Sequence, residues 1–225
     1  MLKPEIKEIL DQAREAGWAM EPQAKEIMRL AGLPVPDFTW ARDKEEALAC
    51  AREKGFPLAA KVVSKKIVHK SDAGGVAVNI ADEDELAGVM DRFAGMEGFE
   101  GAVVEPMAQG AELIVGGRVD HQFGPVVLFG MGGTAVEVYK DTVIRMAPID
   151  EDTVGNMILS LGARDLILGH RGEKPLDAAG IKSLVAGFSR LLMDLEDEIE
   201  SVDLNPVMCS HKGCNIADAR IMLAR

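Results

Sequence analysis

Apolar residues open the chain at helical spacing. Ile6, Ile9, Leu10 and Ala13 share one face between about Pro4 and Ala16, and Gly17 stops the pattern. A second amphipathic helix starts near Pro22, carries Ile27, Met28 and Leu30, and ends near Gly32. Leu33-Pro34-Val35-Pro36 is extended, because each proline drives its predecessor out of the helical region. A third helix runs from about Lys44 to Lys54, with Gly55 as its stop. The pattern then changes period: Leu58 to Val63 is apolar at every position but Lys61, which reads as a buried strand. Val76 to Ile80 reads as another strand and Glu83 to Phe93 as a helix. This half predicts helices against a small sheet.

The second half is richer in strands. Ala102–Glu105, Glu112–Val115, Val126–Phe129, Val136–Tyr139 and Val143–Met146 are short, β-rich and bounded by Gly, Pro or Asp. Helices resume at about Glu151–Leu161 and Ala178–Leu195, and two strand-like segments follow, Ile199–Leu204 and Asn215–Ala219. A Gly-rich stretch near Glu97–Gly101 reads as the boundary between two lobes. The expected fold class is α+β and two-lobed, with ligand in the cleft between lobes.

Charge narrows the partners. The 225 residues hold 25 Lys+Arg against 37 Asp+Glu, a net charge of −12. Such a chain is repelled by polyanions, which argues against nucleic acid or an anionic membrane as main partner. No apolar run approaches the ~18 residues of a membrane span, and residues 1–17 lack the apolar core of a signal peptide. Cys50, Cys209 and Cys214 are sparse and odd in number, which fits a reducing cytoplasm better than a disulfide framework. Cys209, His211 and Cys214 supply too few ligands for a structural zinc site, so they read as a hairpin turn with a free thiol. Trp18, Trp40 and the scattered methionines read as packing residues.

Four places carry candidate chemistry. Lys61 either points to solvent from an edge strand or is presented to a bound phosphate. His69-Lys70-Ser71-Asp72-Ala73-Gly74-Gly75 is either a plain hairpin loop or a cradle of backbone N–H groups for phosphate oxygens. Within it, His69 is a competent nucleophile near neutral pH. Gly130-Met131-Gly132-Gly133 is a second glycine cluster, which on its own connects two strands. Asn205 and Asp218 close two successive strand segments. If those pair as a hairpin, an amide oxygen and a carboxylate converge as in many Mg²⁺ sites. Otherwise Asn205-Pro206 is a turn signal and Asp218 a strand end.

Taken in order, these motifs resemble the ATP-grasp subunit of ADP-forming acetyl-CoA and acyl-CoA synthetases. The resemblance runs through Lys61-Val62-Val63-Ser64, His69 to Val76, Val103 to Met107, Glu112 to Gly116 and Phe123-Gly124-Pro125. It continues through Gly130 to Gly133, Glu137 to Asp141, Arg145 to Pro148, Arg171-Gly172, Asp203 to Pro206 and Asp218 to Arg220. It implies a two-lobed ATP-grasp fold. Residues 1–20 would form a helix packing on the second lobe, 21–101 the first lobe and 102–225 the second lobe with a metal site. The implied reaction is acyl-CoA + ADP + phosphate ⇌ acid + CoA + ATP. The implied partner is a CoA-binding α subunit, in a heterotetramer.

By the same resemblance His69 is a phosphorylated histidine and Arg145 faces the transferring phosphoryl group. Lys61 contacts nucleotide phosphates, over which Ser71, Gly74 and Gly75 close. Glu105 and Met107 hold the adenine edge, the latter through its backbone, and Glu112 takes the ribose hydroxyls. Asn205 and Asp218 bind Mg²⁺, and ATP or ADP is the nucleotide. The alternatives are an ATP-grasp carboxylate ligase without a histidine relay and a non-catalytic nucleotide-sensing subunit.

Overall fold

The computed structural model describes residues 2–133, 141–170, 172 and 174–224. The expected strand Val136–Tyr139, the Glu137–Lys140 part of its motif and Arg171 lie outside the described residues. The described elements, in order, are α1 (Pro4–Ala13), β1 (Trp18–Ala19), α2 (Glu21–Leu30), β2 (Thr39–Ala41), α3 (Lys44–Lys54), β3 (Leu58–Ser64), β4 (Val76–Ile80) and α4 (Glu83–Ala94). Then come β5 (Phe99–Pro106), β6 (Ala111–Asp120), β7 (Gly124–Met131), β8 (Thr142–Met146), α5 (Glu151–Ser160), α6 (Arg164–Leu168) and α7 (Ala178–Asp194). The last are β9 (Ile199–Ser210), β10 (Gly213–Ile216) and β11 (Arg220–Leu223). None of the described helices is long and apolar enough to cross a membrane.

The chain divides into two compact units. The smaller holds residues 20–22 and 36–108, the larger residues 1–19, 23–35 and 109–225. The lobe boundaries expected from sequence were 20/21 and 101/102. Gly98 and Gly101 look like a linker, yet Gly101 lies inside β5, paired with Val63. A Cβ there, at φ +120°, would stand 2.4 Å from the Ala41 carbonyl oxygen. The glycine answers to close strand packing, so β5 stays with the first sheet.

In the smaller unit the sheet order is β2-β5-β3-β4, all antiparallel. Leu58, Ala60, Val62, Ala102 and Val104 share a core with Ala47, Ala51, Leu86, Val89, Met90 and Phe93 of α3 and α4. Both helices start on an aspartate: Asp43 accepts from Glu46 N–H at 2.9 Å and Asp82 from Glu85 N–H at 2.9 Å. Glu46 and Glu85 each reach back to an N–H just before the cap, Arg42 at 2.7 Å and Ala81 at 2.8 Å. These reciprocal bonds consume donors that a helix start leaves unmet.

In the larger unit the sheet runs β1-β11-β9-β6-β7-β8, and β10 pairs with β9. Its core joins Leu113, Val115, Val127, Phe129, Val202, Leu204 and Val207 to Ile181, Val185, Phe188 and Leu192 of α7 and to Ile6 and Leu10 of α1. Gly117 faces α7 so closely that a Cβ would meet Leu192 at 2.7 Å. One expectation fails here. Cys209 and Cys214 face each other across the β9–β10 hairpin with Cα atoms 4.1 Å apart, and they form a disulfide. Direct cross-strand register brings the two sulfurs together, which residue spacing alone did not disclose. Cys50 is the free, buried cysteine.

Candidate active site

Strand β3 sits between β5 and β4, so Lys61 is not on an edge strand. Its even-numbered neighbours face the α3–α4 core, which turns Ala59, Lys61, Val103 and Glu105 to the sheet's other face. Glu105 lies opposite Ala59 and diagonal to Lys61. The Lys61 side chain is 8% exposed, and its ammonium donates to Glu105 Oε1 at 2.6 Å and to Glu21 Oε1 at 3.0 Å. Glu21 in turn accepts from Lys70 through its other oxygen, Oε2. Two carboxylates and two ammoniums thus meet in a buried cluster, the arrangement that makes burial of charge tolerable.

Residues 65–75 connect β3 to β4. The Ser64 hydroxyl anchors their start: it donates to Glu97 O at 2.7 Å and accepts from Lys66 N–H at 3.0 Å and Ile67 N–H at 3.1 Å. Gly75 N–H closes the far end on Lys70 O at 2.7 Å, and Gly75 O accepts from Val62 N–H at 2.8 Å. A Cβ on Gly75 would stand 2.4 Å from Val62 Cγ1, so the loop reaches the strand only because that residue is glycine. Gly74 adopts φ +69°. His69, Ser71 and Gly74 are exposed, whereas Lys70 is drawn inward to Glu21. The Met107 N–H donates to Pro57 O at 3.1 Å, and Glu105 spends its side chain on Lys61.

In the larger unit, β9 pairs with β10 through Val207↔Ile216 and with β11 through Asp203↔Arg220. From Val207↔Ile216 to Asp203↔Arg220 the two ladders share one register, which sets Asn205 across from Asp218. Ala217 and Asp218 N–H both reach Pro206 O, at 3.0 and 3.4 Å. Against β6 the register slips: Leu113 pairs with Val207 but Val115 with Leu204. Asn205 and Pro206 therefore oppose Ile114 alone, a β-bulge of the kind that re-aims a side chain. Asn205 is exposed and Asp218 half-buried. An amide oxygen and a carboxylate on one sheet face form a donor set that suits Mg²⁺, whose remaining ligands are usually water and phosphate oxygen. Among the described residues, no three His, Cys, Asp or Glu side chains gather as a metal cluster.

Glu112 lies on the same face of β6, and the second glycine cluster folds against it. Gly132 N–H donates to Glu112 O at 2.7 Å, and a Cβ on Gly133 would stand 3.0 Å from Glu112 Oε2. Arg145 differs. On β8, the edge strand among those described, it pairs with Val127 of β7, which aligns it with the α7-covered face rather than with Glu112. Its guanidinium donates to Ile144 O at 2.8 Å.

The sequence reading missed Glu21. An acid in the first turn of α2 reads as a complement to the helix dipole, and nothing local reveals that it is 3% exposed and tied to two lysines. Lys70 stood inside a recognised motif without a role.

A family model described as ATP-grasp domain matches residues 11–223. The β subunit of acetate–CoA ligase (ADP-forming) I from Pyrococcus furiosus is 38% identical over 226 residues, covering 96% of this chain and 97% of that one. The 4-hydroxybutyrate–CoA ligase (ADP-forming) of Nitrosopumilus maritimus is 36% identical over 98% of this chain, which spans only 33% of that longer relative. Among solved structures, the dinucleotide forming acetyl-coenzyme A synthetase 1 of Ca. Korarchaeum cryptofilum, with coenzyme A and Mg-AMPPCP, matches with a TM-score of 0.85 and 38% identity. The match covers 97% of this chain and 100% of that one, and in that structure the phosphohistidine segment points towards the nucleotide binding site. A second structure of that synthetase has the segment phosphorylated and in a site I orientation (TM-score 0.86, 36% identity, 97% and 100% covered). With these matches the chain belongs to the ATP-grasp family, among the β subunits of ADP-forming acetyl-CoA synthetases.

Proposed function

We propose that this chain is the nucleotide-binding subunit of an ADP-forming acyl-CoA synthetase, acting in acyl-CoA + ADP + phosphate ⇌ acid + CoA + ATP. The observation that carries the reading is the exposed His69, on a glycine-closed loop that leaves the Lys61-bearing strand β3 after Ser64. In the ATP-forming direction a terminal oxygen of ADP attacks the phosphorus of phosphorylated His69. The new P–O bond forms as the P–N bond breaks, and the electron pair returns to the imidazole. In reverse, the imidazole attacks the γ-phosphorus of ATP and ADP leaves.

Lys61 supplies positive charge toward the phosphates, and Ser71, Gly74 and Gly75 supply loop groups that close on them. Glu105 and Met107 belong to the strand end that would border the adenine, and Glu112 is assigned to the ribose. Asn205 and Asp218 would hold Mg²⁺, which when bound would offset phosphate charge. Arg145 is assigned no step, given its face of the sheet. The partner is a CoA-binding α subunit, in a heterotetramer, and the setting is the cytoplasm, where nucleotide and thioester are available.

The test is transfer from γ-labelled ATP with Mg²⁺, to the chain with its partner present. The expected label is acid-labile, alkali-stable and absent from His69→Ala. Label retained in His69→Ala, or acyl-CoA-dependent ATP formation at full rate by His69→Asn, would overturn the relay and favour direct carboxylate ligation.

A further inference from the structure

Glu21 has no part in the scheme above, yet it joins two of its pieces. One of its oxygens receives Lys61, which rises from the middle of β3. The other receives Lys70, the residue next to His69. The Glu21 side chain is 2% exposed, Lys61 8% and Lys70 13%, so water does little to weaken either contact. Most of the loop lies open: Lys65, Lys66, His69 and residues 71–74 are exposed, whereas Ile67 and Val68 are half-buried. Lys65 and Lys66 pair at the surface with Glu100 and Glu97, contacts of the kind worth little. Between its Ser64 anchor and its Gly75 closure, the loop is thus tied down by a buried charge at Lys70.

We infer that Glu21 is a positioning residue: its carboxylate holds Lys70 and so sets His69 at a fixed place relative to Lys61. This rests on the histidine-relay reading. The physical logic is a shared reference point. The lysine assigned to the nucleotide phosphates and the segment carrying the nucleophile are both indexed to one carboxylate, so nucleophile and phosphate are aligned by the same contact.

The experiment compares wild type with Glu21→Gln, Lys70→Met, Lys70→Arg and the Glu21→Gln/Lys70→Met double variant. Two measurements are made on the full chain with its partner: single-turnover labelling of His69 by γ-labelled ATP, and amide hydrogen exchange across residues 65–75. Lys70→Met leaves the Lys61 contacts in place, so it tests the latch even if Glu21→Gln folds poorly. Expected is a roughly 10- to 100-fold slower transfer in Glu21→Gln and Lys70→Met, the scale of a small misplacement of a reacting group.

The double variant should be no slower than the slower single variant, because both remove one contact. Nucleotide affinity in Lys70→Met should stay within about twofold of wild type, placing the loss in the chemical step. Lys70→Arg should recover most of the rate. Exchange at Ala73 to Gly75 should be faster in both single variants.

Transfer at the wild-type rate in Lys70→Met overturns the inference, as does multiplicative slowing in the double variant. If wild type itself takes no label, the relay fails and exchange alone decides. Faster exchange in both single variants then supports the latch, and unchanged exchange overturns it.

Discussion

Replacing Lys61 with Met removes the ammonium and keeps an apolar stem of the same length, so its effect is mainly that of the charge. In the native protein that ammonium lies 2.6 Å from Glu105 Oε1 and 3.0 Å from Glu21 Oε1, and the two carboxylate side chains are 4% and 2% exposed. Water has little access to take its place. Removing one partner of a buried ion pair typically costs about 3–5 kcal/mol, since the remaining charge stays buried. For a chain of this size that corresponds to a fall in melting temperature of roughly 6–20 °C.

Urea denaturation of Lys61→Met, followed by circular dichroism, measures the loss. A second variant tests its cause: adding Glu105→Gln to Lys61→Met removes a buried negative charge and should return about 1–3 kcal/mol, the scale of coupling between touching residues. A loss below about 1 kcal/mol in Lys61→Met would mean the cluster behaves like a solvent-exposed salt bridge. Simple additivity in the double variant would refute the electrostatic explanation even if the loss were large.

Gly75→Ala should destabilise by about 1–3 kcal/mol, because its Cβ would stand 2.4 Å from Val62 Cγ1; an unchanged denaturation midpoint would mean the loop can lift off the strand cheaply. Asp150 caps α5, and its side-chain and backbone hydrogen bonds with Thr153 hold its carboxyl below the usual 3.8. A depressed folded-state pKa adds stability above 3.8 and loses it as pH falls through the lower folded value. The melting difference between wild type and Asp150→Ala should therefore be full at neutral pH and shrink in acid; a difference constant with pH contradicts the cap. Alkylation of the unfolded, unreduced chain should mark Cys50, with Cys209 and Cys214 labelled only after reduction; labelling of either without reductant would disprove the hairpin disulfide. Asp218→Ala should weaken nucleotide binding with Mg²⁺ and leave metal-free binding alone, as calorimetry would show; equal weakening in both conditions would remove Asp218 from the metal site.

The parts of the fold that could be read from sequence are those set by local periodicity. The Leu58–Val63 run became β3 extended by one residue, and Lys44–Lys54 became α3 as expected, with Asp43 and Gly55 at its ends. What local pattern does not contain is register. The hairpin near the end of the chain was a conditional expectation between Ile199–Leu204 and Asn215–Ala219; β9 in fact runs on to Ser210, so Asn205 and Pro206 lie inside it rather than at a turn. Register decided two consequences: Asn205 stands across from Asp218, and Cys209 stands across from Cys214. The bulge that sets Asn205 and Pro206 against Ile114 depends on a third strand almost a hundred positions earlier, and no motif announces it. The two-residue β1 and three-residue β2 are too short for any periodicity to show.

The candidate site divides along the same line. Its candidates were chosen by residue type, because phosphate chemistry draws on a narrow set: lysine, glycine, histidine, and oxygen donors for a metal. Their state was not. Lys61 in an apolar run is compatible with an edge strand or with a buried charge, and the deciding partner, Glu21, lies forty residues upstream. Once β3 is known to lie inside its sheet, an unpaired ammonium becomes untenable and a carboxylate must be found. The sheet supplies one from its neighbouring strand, Glu105, and the chain supplies the other from the first turn of α2. The second carboxylate has an oxygen to spare, and Lys70 takes it. The need to bury one lysine thereby creates the contact that fixes the loop beside His69.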